Sequence, residues 1–223
     1  LVGSEMCIRD RYGGVSISYA DGDASYSRGS GDNHSRAMNF YVTEMGNKGH
    51  YLDVVLRFHH MDTNFKMFDE NGKKIRGDMH NVGISLSSEY GRKKMIDDKG
   101  WYIEPQGQLT LGYLGGDNYT TSNGIAVRQG GIRSALGRIG FNLGKDIDEK
   151  TNIYLKANLL HEFGGGYHAA MTDSSGSRIK IDRSFKDTWF EYGIGAAIQT
   201  GTNNHVYLDL SLIHISEPTR QAE

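Results

Sequence analysis

Residues 101–113 read Trp101-Tyr102-Ile103-Glu104-Pro105-Gln106-Gly107-Gln108-Leu109-Thr110-Leu111-Gly112-Tyr113. Trp101, Ile103, Leu109, Leu111 and Tyr113 fall on one side of this run. Tyr102, Glu104, Gln106, Gln108 and Thr110 fall on the other. An extended chain points successive side chains to opposite faces, so this alternation predicts a strand with one apolar and one polar face. Two later stretches repeat it. In 152–163, Ile153, Leu155, Ala157, Leu159 and Phe163 oppose Asn152, Tyr154, Lys156, Asn158 and Glu162. In 188–199, Phe190, Tyr192, Ile194, Ala196 and Ile198 oppose Trp189, Glu191, Gly193, Gly195 and Gln199.

The same period predicts strands at 15–21, 36–45, 51–60, 81–91, 131–144 and 205–210. Helical spacing is sustained nowhere, and the fold class is all-β. Length then narrows the choice. Strands of soluble proteins run about 5–6 residues, whereas a tilted strand crossing a bilayer needs about 9–11. Most of these runs reach the longer figure. A sandwich core would bury the charges of the polar face unpaired, at high cost. A hydrated lumen removes that cost and turns the apolar face to lipid. The aromatics Phe58, Tyr90, Trp101, Tyr113 and Phe163 then form an interfacial girdle. The architecture so predicted is an antiparallel transmembrane up-and-down β-barrel, present in part.

The connections support this. Those at 46–50, 93–100, 145–150 and 201–203 are short and polar; those at 22–35, 61–79, 114–130 and 164–186 are long and rich in Gly, Ser, Asn and Asp. Short turns at one rim and long loops at the other are the pattern of bacterial outer-membrane barrels. Pro105 sits mid-strand, where it removes a ladder donor, so a bulge or local break is expected there.

Composition excludes other classes. With 25 Lys and Arg against 27 Asp and Glu, the net charge of -2 gives no field for nucleic acid. One Cys in 223 residues excludes a disulfide framework and a Cys-rich metal site. No apolar run is long enough for a transmembrane helix. A mean hydropathy of -0.54 suits a soluble β-sandwich, but also a barrel, whose apolar face is hidden by alternation.

The ends differ in texture from the interior. Residues 1–11 (LVGSEMCIRDR) and 211–223 (SLIHISEPTRQAE) resemble translated sequencing-adapter DNA, and the first lacks the features of a signal peptide. The expected native span is therefore 12–210, without Cys7.

Several strings within that span resemble the translocator barrel of autotransporters, the type V secretion proteins of Gram-negative bacteria. They are Tyr51-Leu52-Asp53-Val54-Val55-Leu56, the Trp101–Gln106 run with Gln108-Leu109, and Asp117-Asn118-Tyr119-Thr120-Thr121-Ser122-Asn123-Gly124. To these add Gly137-Arg138-Ile139-Gly140-Phe141, Asn152-Ile153-Tyr154-Leu155-Lys156-Ala157 and Trp189-Phe190-Glu191-Tyr192-Gly193. Pro105 falls in the family's Glu-Pro-Gln stretch. The resemblance implies an outer-membrane barrel of about twelve strands with a helical linker through its lumen. The nine strands read here would be the third to the eleventh. The linker, first two strands, last strand and C-terminal aromatic signal are not in the sequence. The implied partners are outer-membrane lipid, the barrel-assembly machinery and an upstream passenger domain.

Candidate sites are few. His59 and His60 are sequence neighbours, so they point to opposite faces and do not share a metal with Asp62. Gly193-x-Gly195 lies within a strand and opens no helix, so it is not a dinucleotide loop. Glycines there are expected to let a linker helix approach. The expected lumen-lining set is Glu104, Gln106, Gln108, Arg138, Lys156, Glu162, Glu191, Gly193 and Gly195. Mutual pairing, or a grip on the linker, is its expected role. No catalytic group, cofactor or metal is assigned. The function so read is anchoring and secretion of a passenger, with an outer-membrane barrel enzyme or a soluble β-rich adhesin as alternatives.

Overall fold

In the computed structural model, residues 10–46, 48–200 and 205–215 are described. They form fourteen strands: β1 (Asp10–Tyr26), β2 (Gly29–Met45), β3 (His50–Phe68), β4 (Lys74–Arg92), β5 (Lys94–Met95), β6 (Trp101–Leu114), β7 (Asn118–Thr120), β8 (Ala126–Gln129), β9 (Ile132–Asp146), β10 (Thr151–Glu162), β11 (Gly166–Thr172), β12 (Arg178–Ser184), β13 (Thr188–Gln199) and β14 (His205–Ile215). The main sheet is antiparallel throughout, in the order β1-β2-β3-β4-β6-β9-β10-β13-β14, with β5 beside β6. Each of the nine expected strands is found. The sheet is a half-barrel wall whose ends are β1 and β14.

Its burial is inverted relative to a soluble protein. Leu155, Ile139 and Ile194 are 56%, 64% and 55% exposed, whereas Asn158 and Glu162 on the opposite face are 5% and 8% exposed. The expected girdle residues Phe58, Tyr90, Trp101, Tyr113 and Phe163 all lie on the exposed apolar side. Trp101 and Tyr113 bracket one strand, about 40 Å apart along the chain at about 3.3 Å per residue. With a tilt of about 40° this gives a height of about 30 Å, which matches a bilayer's hydrocarbon core.

Pro105 breaks the ladder without shifting it. Pairing of β4 with β6 stops at Gly91 opposite Gln106, and β5 resumes it at Lys94 opposite Ile103 in the same register. On the other side Pro105 pairs with Phe141 in an unbroken ladder. The missing N–H therefore faces the β4 side, and a break rather than a bulge results.

Two of the expected long loops are strand instead. Residues 22–35 and 61–79 continue β1 to β4 beyond the apolar belt, and the turns shrink to 27–28 and 69–73. In β3 and β4 the phase reverses, with Met61, Phe65, Met67, Ile75 and Met79 inward and Asp62, Asn64, Lys66, Lys74, Arg76 and Asp78 outward, whereas 22–35 is polar on both sides and loses the apolar/polar period while backbone pairing persists. Polar cross-strand pairs replace it, such as Asn33 Nδ2 donating to Thr63 Oγ1 at 2.7 Å. The connections 114–130 and 164–186 carry β7, β8, β11 and β12, which make a separate four-stranded sheet in the order β12-β11-β8-β7. At the opposite rim two turns share one device. Gly49 (φ 73°) and Gly100 (φ 90°) adopt the left-handed conformation. Their carbonyls accept the N–H of Lys93 (2.8 Å), just past the end of β4, and of Asp146 (2.9 Å), the last residue of β9. The expected turn at 201–203 and the outer parts of both end segments, 1–9 and 216–223, lie outside the described residues. β14 itself runs on through 211–215, paired with 189–193 of β13.

Inverted burial makes a directional prediction. Leu155→Arg, which puts a charge on the apolar face near mid-belt, should cost about 2–4 kcal/mol of folding free energy in bilayers. Ser85→Arg on the polar face should cost less than half as much. Denaturant titration of the full-length protein in lipid vesicles measures both; equal costs would contradict the assignment of faces.

Candidate functional site

The polar face carries a continuous hydrogen-bonded belt. Its centre is Arg138 on β9. The guanidinium donates from Nε to Gln108 Oε1 (2.8 Å) and from Nη2 to Glu89 Oε2 (2.7 Å), with longer bonds from Nη1 to Gln106 Oε1 (3.3 Å) and Asn158 Oδ1 (3.4 Å). Register explains the convergence: Glu89, Gln108 and Arg138 stand directly opposite one another on β4, β6 and β9. Tyr51 of β3 extends the belt by donating to Glu89 Oε1 at 2.8 Å. Gln108 Nε2 donates to Ser87 Oγ at 2.7 Å. Gln106 Nε2 and Asn142 Nδ2 donate to Glu104 Oε1 at 2.7 and 3.2 Å.

A second cluster continues toward the other end. Asn158 Nδ2 donates to Glu191 Oε2 at 2.9 Å, and Lys156 Nζ lies 3.2 Å from Glu191 Oε1 and 2.6 Å from Asp209 Oδ1. Tyr154 donates to Asp209 Oδ2 at 2.9 Å. Glu162 stands apart, near the long-loop rim. It accepts from Ser134 Oγ (2.5 Å) and from the N–H groups of Ala135 and Gly164 (2.8 Å each). The predicted polar set thus forms one network, in which Asn158 joins Glu104, Gln106, Gln108 and Arg138 to Lys156 and Glu191, with Glu162 apart from it. Sequence reasoning missed Glu89, Tyr51 and Asp209, whose roles follow from cross-strand register.

The glycines have a more local explanation than approach of a helix. A Cβ on Gly195 would collide with the Tyr154 ring, and one on Gly193 with Lys156 Cε and the Leu210 carbonyl. Tyr51 covers Gly91 and Tyr102 covers Gly144 in the same way. In each pair a tyrosine lies flat across the glycine directly opposite on the next strand, so these glycines are occupied positions. Two buried polar atoms of this face, Asp53 Oδ1 and His59 Nδ1, have no hydrogen-bond partner among the described residues.

On the opposite, outer face lies a row the sequence reading left apart. Beyond the apolar belt, Asp21, His34, Asp62 and His80 stand opposite one another on β1 to β4. His59 and His60 do point to opposite faces, but Asp62 gathers His60 (Nε2, 2.9 Å) and also His80 (Nδ1, 2.7 Å). His80 is eighteen positions further on, and only the β3–β4 register brings it there. The bond to His80 holds the Asp62 carboxyl below its ordinary range, and the same bond raises the His80 imidazole.

An antiparallel wall with a lipid-matched apolar outside and a polar, hydrogen-bonded inside is a transmembrane β-barrel of the outer-membrane class. The autotransporter beta-domain family model matches residues 9–211, and the chain belongs to that family, whose barrels sit in the outer membrane of Gram-negative bacteria and act as translocators. It is 32% identical over 195 residues to the pertactin autotransporter of Bordetella parapertussis, covering 85% of this chain and 20% of that protein. It is 29% identical over 203 residues to the probable autotransporter YcgV of Escherichia coli K12, covering 89% and 21%. The chain thus spans about a fifth of these relatives. Among solved structures, the beta domain of the Bordetella autotransporter BrkA aligns with a TM-score of 0.71 at 23% identity, covering 92% of this chain and 77% of that one. The translocator domain of NalP from Neisseria meningitidis aligns with a TM-score of 0.73 at 12% identity, covering 92% and 69%. These structural likenesses speak to the fold.

Two measurements check the site. Arg138→Met leaves Glu89 without its cation and should destabilise the barrel by about 1–3 kcal/mol. Adding Glu89→Gln should recover part of the loss, with a coupling of about 1–2 kcal/mol in the double-mutant cycle. For the outer row, the bond's stabilisation is present while Asp62 is ionised and His80 protonated. It is lost as pH falls through the lowered Asp62 value or rises through the raised His80 value. An NMR titration of His80 should therefore show a midpoint above that of a free histidine, brought back by Asp62→Asn.

Proposed function

We propose that this chain is most of the wall of a pore that anchors an upstream passenger in the outer membrane and supports its export to the cell surface. The observation that carries the reading is the hydrogen-bonded, half-buried polar face opposite an exposed apolar belt. On this reading Glu104, Gln106, Gln108, Arg138, Lys156, Glu162, Glu191, Gly193 and Gly195 line the lumen. Most of their hydrogen-bonding capacity is met within the wall, so a passing segment meets a smooth polar surface without strong binding sites. The chain itself does no bond chemistry; its work is steric and electrostatic.

Closure follows from the same physics. Among the described residues β1 and β14 are the ends of the sheet, and in hydrocarbon every backbone group left unpaired on such an edge costs several kcal/mol. Further strands of the native protein join these edges, and the barrel-assembly machinery directs the joining. Residues 1–11 and 211–223 are foreign to the native protein on this reading. Reading the genomic locus past both positions should reveal a final strand ending in Phe or Trp; a stop codon soon after the position of Leu210 would overturn this.

Function is tested by display. An epitope-tagged passenger in the full-length protein should become accessible to protease added to intact cells. Gly193→Trp, which forces bulk against Lys156 and the lumen, should lower surface exposure several-fold while the barrel still shows heat-modifiable migration. Surface exposure unchanged by lumenal bulk would count against transport through this face.

A further inference from the structure

The outer row contains a donor set that neither the wall nor the secretion role requires. Asp62 Oδ1 accepts from His60 Nε2 at 2.9 Å and from His80 Nδ1 at 2.7 Å. The three ligand atoms lie within 4.8 Å of one another. We propose that His60, Asp62 and His80 form a binding site for a divalent transition cation of the zinc, nickel or copper class, on the outward face of the long-loop rim.

The sheet builds the site. His60 and Asp62 are two residues apart on β3 and so share a face, while His80 on β4 is the direct register partner of Asp62. Neither position needs a loop to order first, because both strands are paired through this region. An ion with bonds of about 2.0–2.1 Å holds its tetrahedral donors about 3.4 Å apart, so the two His–Asp62 distances open by about half an ångström while the imidazole nitrogens, within 4.8 Å of each other, settle to the same spacing. On binding, the two N–H protons now shared with Asp62 leave to solvent or to the opposite ring nitrogens. The imidazoles then present lone pairs, and Asp62 keeps its negative charge.

Chemistry selects the ion. Two imidazole nitrogens and one carboxylate oxygen suit zinc, nickel and copper. Calcium and magnesium demand shells of oxygen donors. The surroundings carry both signs: Asp117 accepts the His80 backbone N–H through Oδ2 at 2.7 Å, and Arg36 of β2 stands opposite His60. The His60, His80 and Asp62 side chains are 45%, 64% and 25% exposed, so an ion enters from outside and keeps water in its remaining positions. His34, the partner of Asp62 on the β2 side, is turned to Asp21 at 2.5 Å and leaves the three-residue set intact. A bound ion would clamp β3 to β4 where the strands leave the membrane.

The test uses full-length protein extracted in detergent, stripped with chelator and titrated with Zn²⁺ against a fluorescent competitor. Wild type should bind one more Zn²⁺ than His60→Ala/His80→Ala. Asp62→Asn and His80→Ala should each weaken that site more than about tenfold, and Ca²⁺ in excess should not displace the ion. His168→Ala removes another exposed His–Asp pair, His168 with Asp182 on the loop sheet, and should leave the site unchanged. Heat-modifiable migration common to all variants excludes misfolding. Equal Zn²⁺ binding by wild type and the double variant, or the same loss with His168→Ala, would overturn the proposal. Neither result bears on secretion, which the display assay reads separately.

Discussion

Hydrocarbon offers no hydrogen-bond partner to a backbone N–H or C=O, and this constraint governs the whole chain. Each group within the membrane belt has to be paired strand to strand, which is why one antiparallel ladder runs from β1 to β14, with each of its nine long strands beside the next long strand along the chain. The single proline is tolerated at the cost of one short gap on one side of β6, and the ladder resumes in the same register. Because the sheet is one layer, each residue has only two destinations, lipid or interior, and the alternation of the sequence follows from that.

The interior solves a second problem. A polar face that curves inward crowds its own side chains, so charges there need partners. Arg138 meets this by reaching across register to Glu89, Gln108, Gln106 and Asn158. Lys156 meets it with Glu191 and Asp209. Tyrosines laid over opposing glycines fill the remaining hollows near the short-turn rim. The result is a wall stiffened from within by bonds that span several strands, with the lipid-facing residues left free of polar duties.

Beyond the membrane the rules relax, and there sequence and structure diverge most. Residues 22–35 read as a loop because they are polar on both sides, and 61–79 because their alternation reverses phase against the membrane belt, yet both continue as strands. The lost or reversed period reports a change of surroundings outside the lipid, not loss of pairing. The same extension creates the Asp21–His34–Asp62–His80 row, since strands that stop at the bilayer would never bring His80 to Asp62.

The sequence by itself determined the nine long strands, their two faces and the membrane class, because side-chain alternation is a local property written residue by residue. Trp101, Leu155 and Ile194 announced lipid, and Glu104, Gln108 and Glu191 announced water. Only the tertiary structure decided who meets whom. Glu89 with Arg138, Tyr154 with Gly195 and His80 with Asp62 are set by interstrand register. Register depends on turn geometry and on the summed fit of two whole strands, and no single strand's sequence contains it.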